Sequence, residues 1–281
     1  MLQVPRLSKC SAAQILAVFL FAALASDGGT SANATAPEEV RTVTVDDHRV
    51  AFRVVGSGRP AIVLISGLGD GMATFQDIAR DLGKTNTVIV YDRAGYGGSD
   101  PGDGLRDASA AERELSGLLA QSGVVGPYVL SGHSLGGLLA EYYAANHPDQ
   151  VSGLILEDSR PADFTRRCTT ALGASRCLPP AWLVWLMPKG ARDEVVALEQ
   201  VVAQVEGSVP LRGKPVLVLS RPRGDARKAS FDALWTQAQG DLAARYPGSR
   251  HLAAVAGGHY IHRDQRDWFL FSVRAFLTAV R

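Results

Sequence analysis

In "YVLSGHSLGGLLAEYYA", residues 128 to 144, Ser134 stands between Gly132 and Gly136. A lone hydroxyl there is either a small turn residue or a nucleophile. As a nucleophile it needs a base to take its proton and an acid to orient that base. The pattern G-x-S-x-G alone is weak, since 29 glycines make chance matches easy. Its setting is stronger: an apolar, strand-like run ends just before it and a helical pattern begins just after it. A sharp strand-to-helix turn lifts a serine hydroxyl above the carboxyl edge of a parallel sheet. Flanking glycines suit such a turn, because a side chain would collide with the neighbouring strand or helix. The helix holding Leu138, Leu139, Tyr142 and Tyr143 would aim its unpaired N–H groups at the hydroxyl, ready to stabilise negative charge.

The elements needed to position that turn are legible around it. "RTVTVDDHRVAFRVVGSG" alternates apolar and polar residues about Asp46, Asp47 and His48, which is a hairpin signal. Continuous apolar runs follow at 61–67, 87–92, 128–132, 152–158 and 215–220, as expected of strands buried on both faces of a parallel sheet. Helical patterns lie between the earlier runs, at about 72–82, 107–121 and 135–146. This rhythm predicts an α/β fold with a doubly wound, mostly parallel sheet. After residue 220, "SFDALWTQAQGDLAARY" reads as helix, "RHLAAVAGG" as a last strand, and "QRDWFLFSVRAFLTAV" as an amphipathic closing helix. The rhythm breaks once, between residues 158 and 215. The segment at about 160–212 is expected to be a small helical cap, whose Trp182, Trp185 and Met187 pack onto the main domain or line a substrate pocket.

Four separated motifs, in order, resemble the α/β-hydrolase fold family over most of residues 41–281: "LISGLGD", "YDRAGYGGSD", "SGHSLGG" and "AGGHYIH". The resemblance implies a triad in chain order serine, acid, histidine, with Ser134 matching the nucleophile and His259 the base; His251 and His262 lie close by, and the "GGH" context favours His259. It also implies an oxyanion hole made by the backbone N–H groups of Leu68 and Leu135. Ser66 departs from the His-Gly pair common at that position, while Gly67 keeps the tight turn. Asp92 and Arg93 match residues that shape a loop under the active site; the stretch lacks the lysine and spacing of a phosphate loop.

The triad acid is the least determined member. The family's commonest place for it is the loop after "PVLVLS", where Asp225 stands among cations; some members carry it at the end of the preceding strand, here "LILEDSRP". Strand alternation puts Leu154, Leu156 and Asp158 on one face and Ile155 and Glu157 on the other. Asp158, at the strand end, is the expected acid, with Asp225 and Glu157 as alternatives. The expected activity is therefore a serine hydrolase cleaving a carboxylic ester or related acyl bond of a small molecule, without metal or cofactor. Dehalogenases and epoxide hydrolases of this fold use an aspartate at the elbow, which Ser134 argues against. A low-turnover ligand-binding or sensing protein, a peptidase and an acyltransferase remain alternatives on the same fold.

Composition bounds the rest. With 281 residues, 46% hydrophobic, and 29 basic against 28 acidic side chains, the chain has no electrostatic footprint for nucleic acid. Arg6 and Lys9 precede "AAQILAVFLFAALA", which reads as a signal peptide over residues 1–25, with Ala23 and Ala25 offering a cleavage site and Ala34 and Ala36 a second. An uncleaved anchor is the alternative; after cleavage no membrane span is expected. Residues 26–40 are expected to be a flexible leader. Cys10 falls in the signal, leaving Cys168 and Cys177 as a pair able to close a short loop in an oxidising compartment. The expected location is secreted or periplasmic.

Overall fold

A computed structural model describes residues 39–223 and 230–280. The signal at 1–25, most of the leader and Asp225 lie outside the described residues. Within them, strands β1 (Arg41–Val45) and β2 (His48–Val55) form the expected hairpin. Asp46 and Asp47 both take positive φ, 46° and 64°, as a tight turn between twisted strands requires. Six more strands follow: β3 (Ala61–Ile65), β4 (Val88–Tyr91), β5 (Tyr128–His133), β6 (Val151–Glu157), β7 (Val216–Ser220) and β8 (Arg250–Ala253). The sheet runs β1-β2-β4-β3-β5-β6-β7-β8, antiparallel at β1, β2 and β4 and parallel from β4 to β8.

The strand order reverses at β3, between β4 on one side and β5 on the other. At such a switch point neighbouring connections leave on opposite faces, and a crevice opens beyond the carboxyl ends of the strands. The continuous apolar runs are explained by burial on both faces. Val63, Leu130, Leu154, Leu156 and Val218 pack with Leu115, Leu118, Tyr143 and Leu242 on one side. Ile62, Val129, Ile155 and Leu217 pack with Phe75, Ile78, Phe269 and Phe276 on the other.

Among the flanking helices, α1 (Gln76–Gly83) is preceded by a 3₁₀ turn at Met72–Phe75. Helix α2 (Ala108–Gln121) begins where Asp107 accepts the Ala110 N–H at 2.9 Å, and α3 (Leu135–Asn146) follows β5 directly. The cap consists of α4 (Phe164–Leu172), α5 (Ala174–Cys177), α6 (Ala181–Leu186) and α7 (Lys189–Gly207). Cys168 and Cys177 form a disulfide joining α4 to α5. Helix α7 lays Val201 and Val205 against Ala108, Leu135 and Leu138, so the cap sits over the start of α3. Helix α8 (Phe231–Ala244) packs Trp235 and Ala238 on Phe164 and Cys168 of α4; α9 (Ile261–Asp264) and α10 (Arg266–Leu277) close the chain.

The expectation that Trp182 and Trp185 pack inward is corrected: they are 61% and 75% exposed. Helix α6 is six residues long and bracketed by Pro180 and Pro188, so the prolines set its path, and Leu186 is exposed with the two tryptophans.

Candidate active site

The turn after β5 is built as the sequence suggests. Ser134 has φ 53° and ψ −119°, a conformation costly for a non-glycine residue, and stands immediately before α3. Its neighbours over-determine it. Its N–H donates to the Glu157 carbonyl at 3.1 Å, while its own carbonyl accepts from the N–H groups of Gly137 at 3.1 Å and Arg160 at 3.0 Å. The flanking glycines are required by close approach. A Cβ on Gly132 would lie 2.4 Å from the Gly136 carbonyl oxygen, and one on Gly136 would lie 2.2 Å from that of Ile65.

Each of the three histidines weighed from sequence has a different partner. His259 Nδ1 meets Asp158 Oδ2 at 2.6 Å, His262 Nδ1 meets Glu157 Oε1 at 2.8 Å, and His251 Nε2 meets the Ser220 hydroxyl at 2.9 Å. The split between the two acids follows from the strand: β6 ends at Glu157, which turns to the face bearing His262, and Asp158 leaves the strand with φ 37°. Asp158 is fully buried, and its other oxygen accepts from Trp235 Nε1 at 2.9 Å and the Arg221 N–H at 3.1 Å. These donors fix the orientation of the carboxylate. With Nδ1–H directed at Asp158, His259 keeps Nε2 as its basic nitrogen. The His259 side chain is 22% exposed, so this nitrogen belongs to a ring that a small molecule can reach.

His133, the residue before the serine, braces His259 from below. Its Nε2–H donates to the His259 carbonyl at 3.0 Å, and the two rings lie 4.5 Å apart. Burial, reinforced by the neighbouring His259 and His262, pushes the His133 imidazole well below its ordinary pKa, so it stays neutral.

The loop after β3 is pinned from the opposite side. Arg93 Nη1 donates to the Ser66 carbonyl at 2.6 Å and Nη2 to that of Gly67 at 2.9 Å. Its Nε pairs with Glu194 of cap helix α7 at 2.6 Å. Tyr96 completes the brace, accepting the Gly69 N–H at 3.1 Å and donating to Glu194 at 2.6 Å. Asp92 holds the adjoining turns by accepting the N–H groups of Met72 at 2.6 Å and Gly98 at 2.9 Å. Leu68 packs against the apolar cluster that includes Leu135 and Leu138 of α3. Leu135 is the first residue of that helix, where N–H groups lack intrahelical partners.

Of the site residues expected from sequence, the structure thus brings Asp158 to His259, and Leu68 to Leu135 beside Ser134. Glu157 is committed to His262, and Asp225 lies outside the described residues. His133, Tyr96, Glu194 and Trp235 were not singled out from sequence; only the position of His133 within the elbow motif offered a signal. Among the described residues no three His, Cys, Asp or Glu side chains cluster as metal ligands, and no helix is long and apolar enough to cross a membrane.

The family model described as alpha/beta hydrolase fold matches residues 60–183. An uncharacterized protein of Mycobacterium tuberculosis is 37% identical over 43% of this chain and 35% of its own length. A human (lyso)-N-acylphosphatidylethanolamine lipase is 30% identical over 52% of this chain and 40% of its own length. The chain therefore spans well under half the length of both relatives. Among solved structures, a thermophilic esterase from Thermogutta terrifontis superposes with TM-score 0.65 at 21% identity, covering 86% of this chain and 99% of that one. The eight-stranded, mostly parallel sheet, the elbow after β5, the match over residues 60–183 and the structural likeness give this chain the α/β-hydrolase fold.

Proposed function

We propose that this chain is a serine hydrolase cleaving a carboxylic ester or related acyl bond of a small molecule through an acyl-enzyme on Ser134. The observation that carries the reading is the 2.6 Å contact between His259 and buried Asp158, at the same sheet edge as the strained serine turn. In the first step Ser134 Oγ bonds to the acyl carbon while His259 Nε2 takes the hydroxyl proton. The carbonyl oxygen becomes an oxyanion facing the N–H groups of Leu68 and Leu135. The intermediate collapses, the bond to the leaving alkoxide breaks, and His259 returns the proton to it. Water then repeats the sequence on the acyl-enzyme, releasing the acid and restoring the serine. Asp158 holds the ring and stabilises the imidazolium formed in each half-reaction.

Arg93, Tyr96 and Glu194 support this reading by holding the Ser66–Gly69 loop against the pull of a developing negative charge. The test is turnover of p-nitrophenyl esters of increasing chain length. Ser134→Ala is expected to remove turnover of every ester in the panel; unchanged turnover in that variant would contradict the proposal. We further propose that the protein is exported, with residues 1–25 or 1–36 removed. The disulfide within the cap supports an oxidising compartment, and the N-terminal sequence of protein from the periplasm or medium tests it.

A further inference from the structure

Arg160 follows the serine-bearing turn in space: its N–H donates to the Ser134 carbonyl at 3.0 Å. Its guanidinium departs from the paired pattern of the buried arginines. The buried arginines Arg93 and Arg106 each face a carboxylate, Glu194 at 2.6 Å and Glu114 at 2.5 Å. Arg160 faces none within ion-pair distance among the described residues. Its Nη2 donates to the neutral hydroxyl of Thr165, its Cζ lies 6.0 Å over the Phe164 ring, and its Nε is buried without a hydrogen-bond partner. Burial alone pulls the group down to about 10, with no anion to offset it. A cation kept partly desolvated and unpaired is costly and persists where it meets an anion from outside. The residue as a whole is only partly buried.

We infer that Arg160 is the counter-ion for an anionic substrate, an ester carrying a carboxylate or phosphate near its scissile acyl group. This rests on the hydrolase reading for its location and extends it by naming a substrate class. The guanidinium fork offers paired donors to such a group, and Thr165 and Phe164 hold its plane. Asp158, the nearest acid in sequence, is already engaged by His259, Trp235 and Arg221, so it does not compete.

The experiment compares the p-nitrophenyl monoester of adipic acid, which bears a free carboxylate, with p-nitrophenyl hexanoate, its neutral counterpart of equal chain length. The wild-type protein is expected to favour the anionic ester in kcat/KM, and Arg160→Gln to lower that preference about 10- to 100-fold, chiefly through KM. Arg160→Lys is expected to restore part of it, which a purely structural role would not do. Equal losses on both esters, or no preference in the wild type, would overturn the inference. So would a tenfold gain in the anionic preference on Asp225→Asn, which would assign the guanidinium to an internal pair. Calorimetric binding of monomethyl adipate and methyl hexanoate to Ser134→Ala protein separates this inference from the hydrolase reading. Arg160-dependent binding without wild-type turnover would sink the reading alone, and turnover without charge preference would sink the inference alone.

Discussion

At the scale of single residues, the site is defined by how adjacent positions divide their duties. Glu157 and Asp158 are consecutive carboxylates at one strand end, yet each holds a different histidine. The pairing makes a sharp expectation. Asp158→Asn should lower kcat by on the order of 10³- to 10⁴-fold, because an amide cannot hold His259 in the basic tautomer. Asp225→Asn should leave kcat within a few-fold. Steady-state kinetics on one good ester measures both, and the reverse ranking would refute the assignment. Strand alternation made this division legible in the sequence. The elbow was legible too, because Gly132 and Gly136 are demanded by backbone contacts under 2.5 Å. Trp235 was not: its N–H reaches Asp158 across 77 positions, and nothing local to "FDALWTQ" announces that contact.

At the scale of elements, the cap is tied to the candidate site by a buried ion pair. Helix α7 sends Glu194 down to Arg93, and Arg93 grips two carbonyls of the loop that carries Leu68. Glu194→Gln leaves Arg93 buried without an anion. It should cost about 3–5 kcal/mol in denaturant unfolding and lower kcat more than it raises KM, since the loop would yield as charge develops. A change confined to KM would show that the brace serves binding only. The disulfide between α4 and α5 closes a loop with a sequence separation of 9. Cys168→Ser should therefore cost roughly 2–3 kcal/mol in unfolding free energy under oxidising conditions. The cap was the least legible element. Its existence followed from a gap in the strand rhythm, but the outward turn of Trp182 and Trp185 depends on where two prolines send a short helix.

At the scale of the whole molecule, the mostly parallel sheet was foreshadowed by the apolar runs, whereas its strand order and the buried charges were not, since each depends on distant partners. Glu141 on α3 is one of them. Burial raises its carboxyl to about 7 from an ordinary 4.5, although Arg245 and the Tyr246 hydroxyl draw it down. A folded-state pKa above the unfolded value means the native state holds a proton the unfolded chain has released. Its contribution is therefore complete below about pH 4.5 and is lost as pH rises through about 7, by roughly 3 kcal/mol. Chemical denaturation across that range should show the decline, and Glu141→Gln should flatten it.

The central claim is that Ser134 is an activated nucleophile, and covalent labelling tests it most directly. Intact-mass measurement after incubation with a fluorophosphonate should show one adduct per chain, mapped to the peptide containing Ser134, absent from Ser134→Ala and strongly slowed in Asp158→Asn. Folded protein that takes up no label, or takes it up equally in Ser134→Ala, would contradict the account.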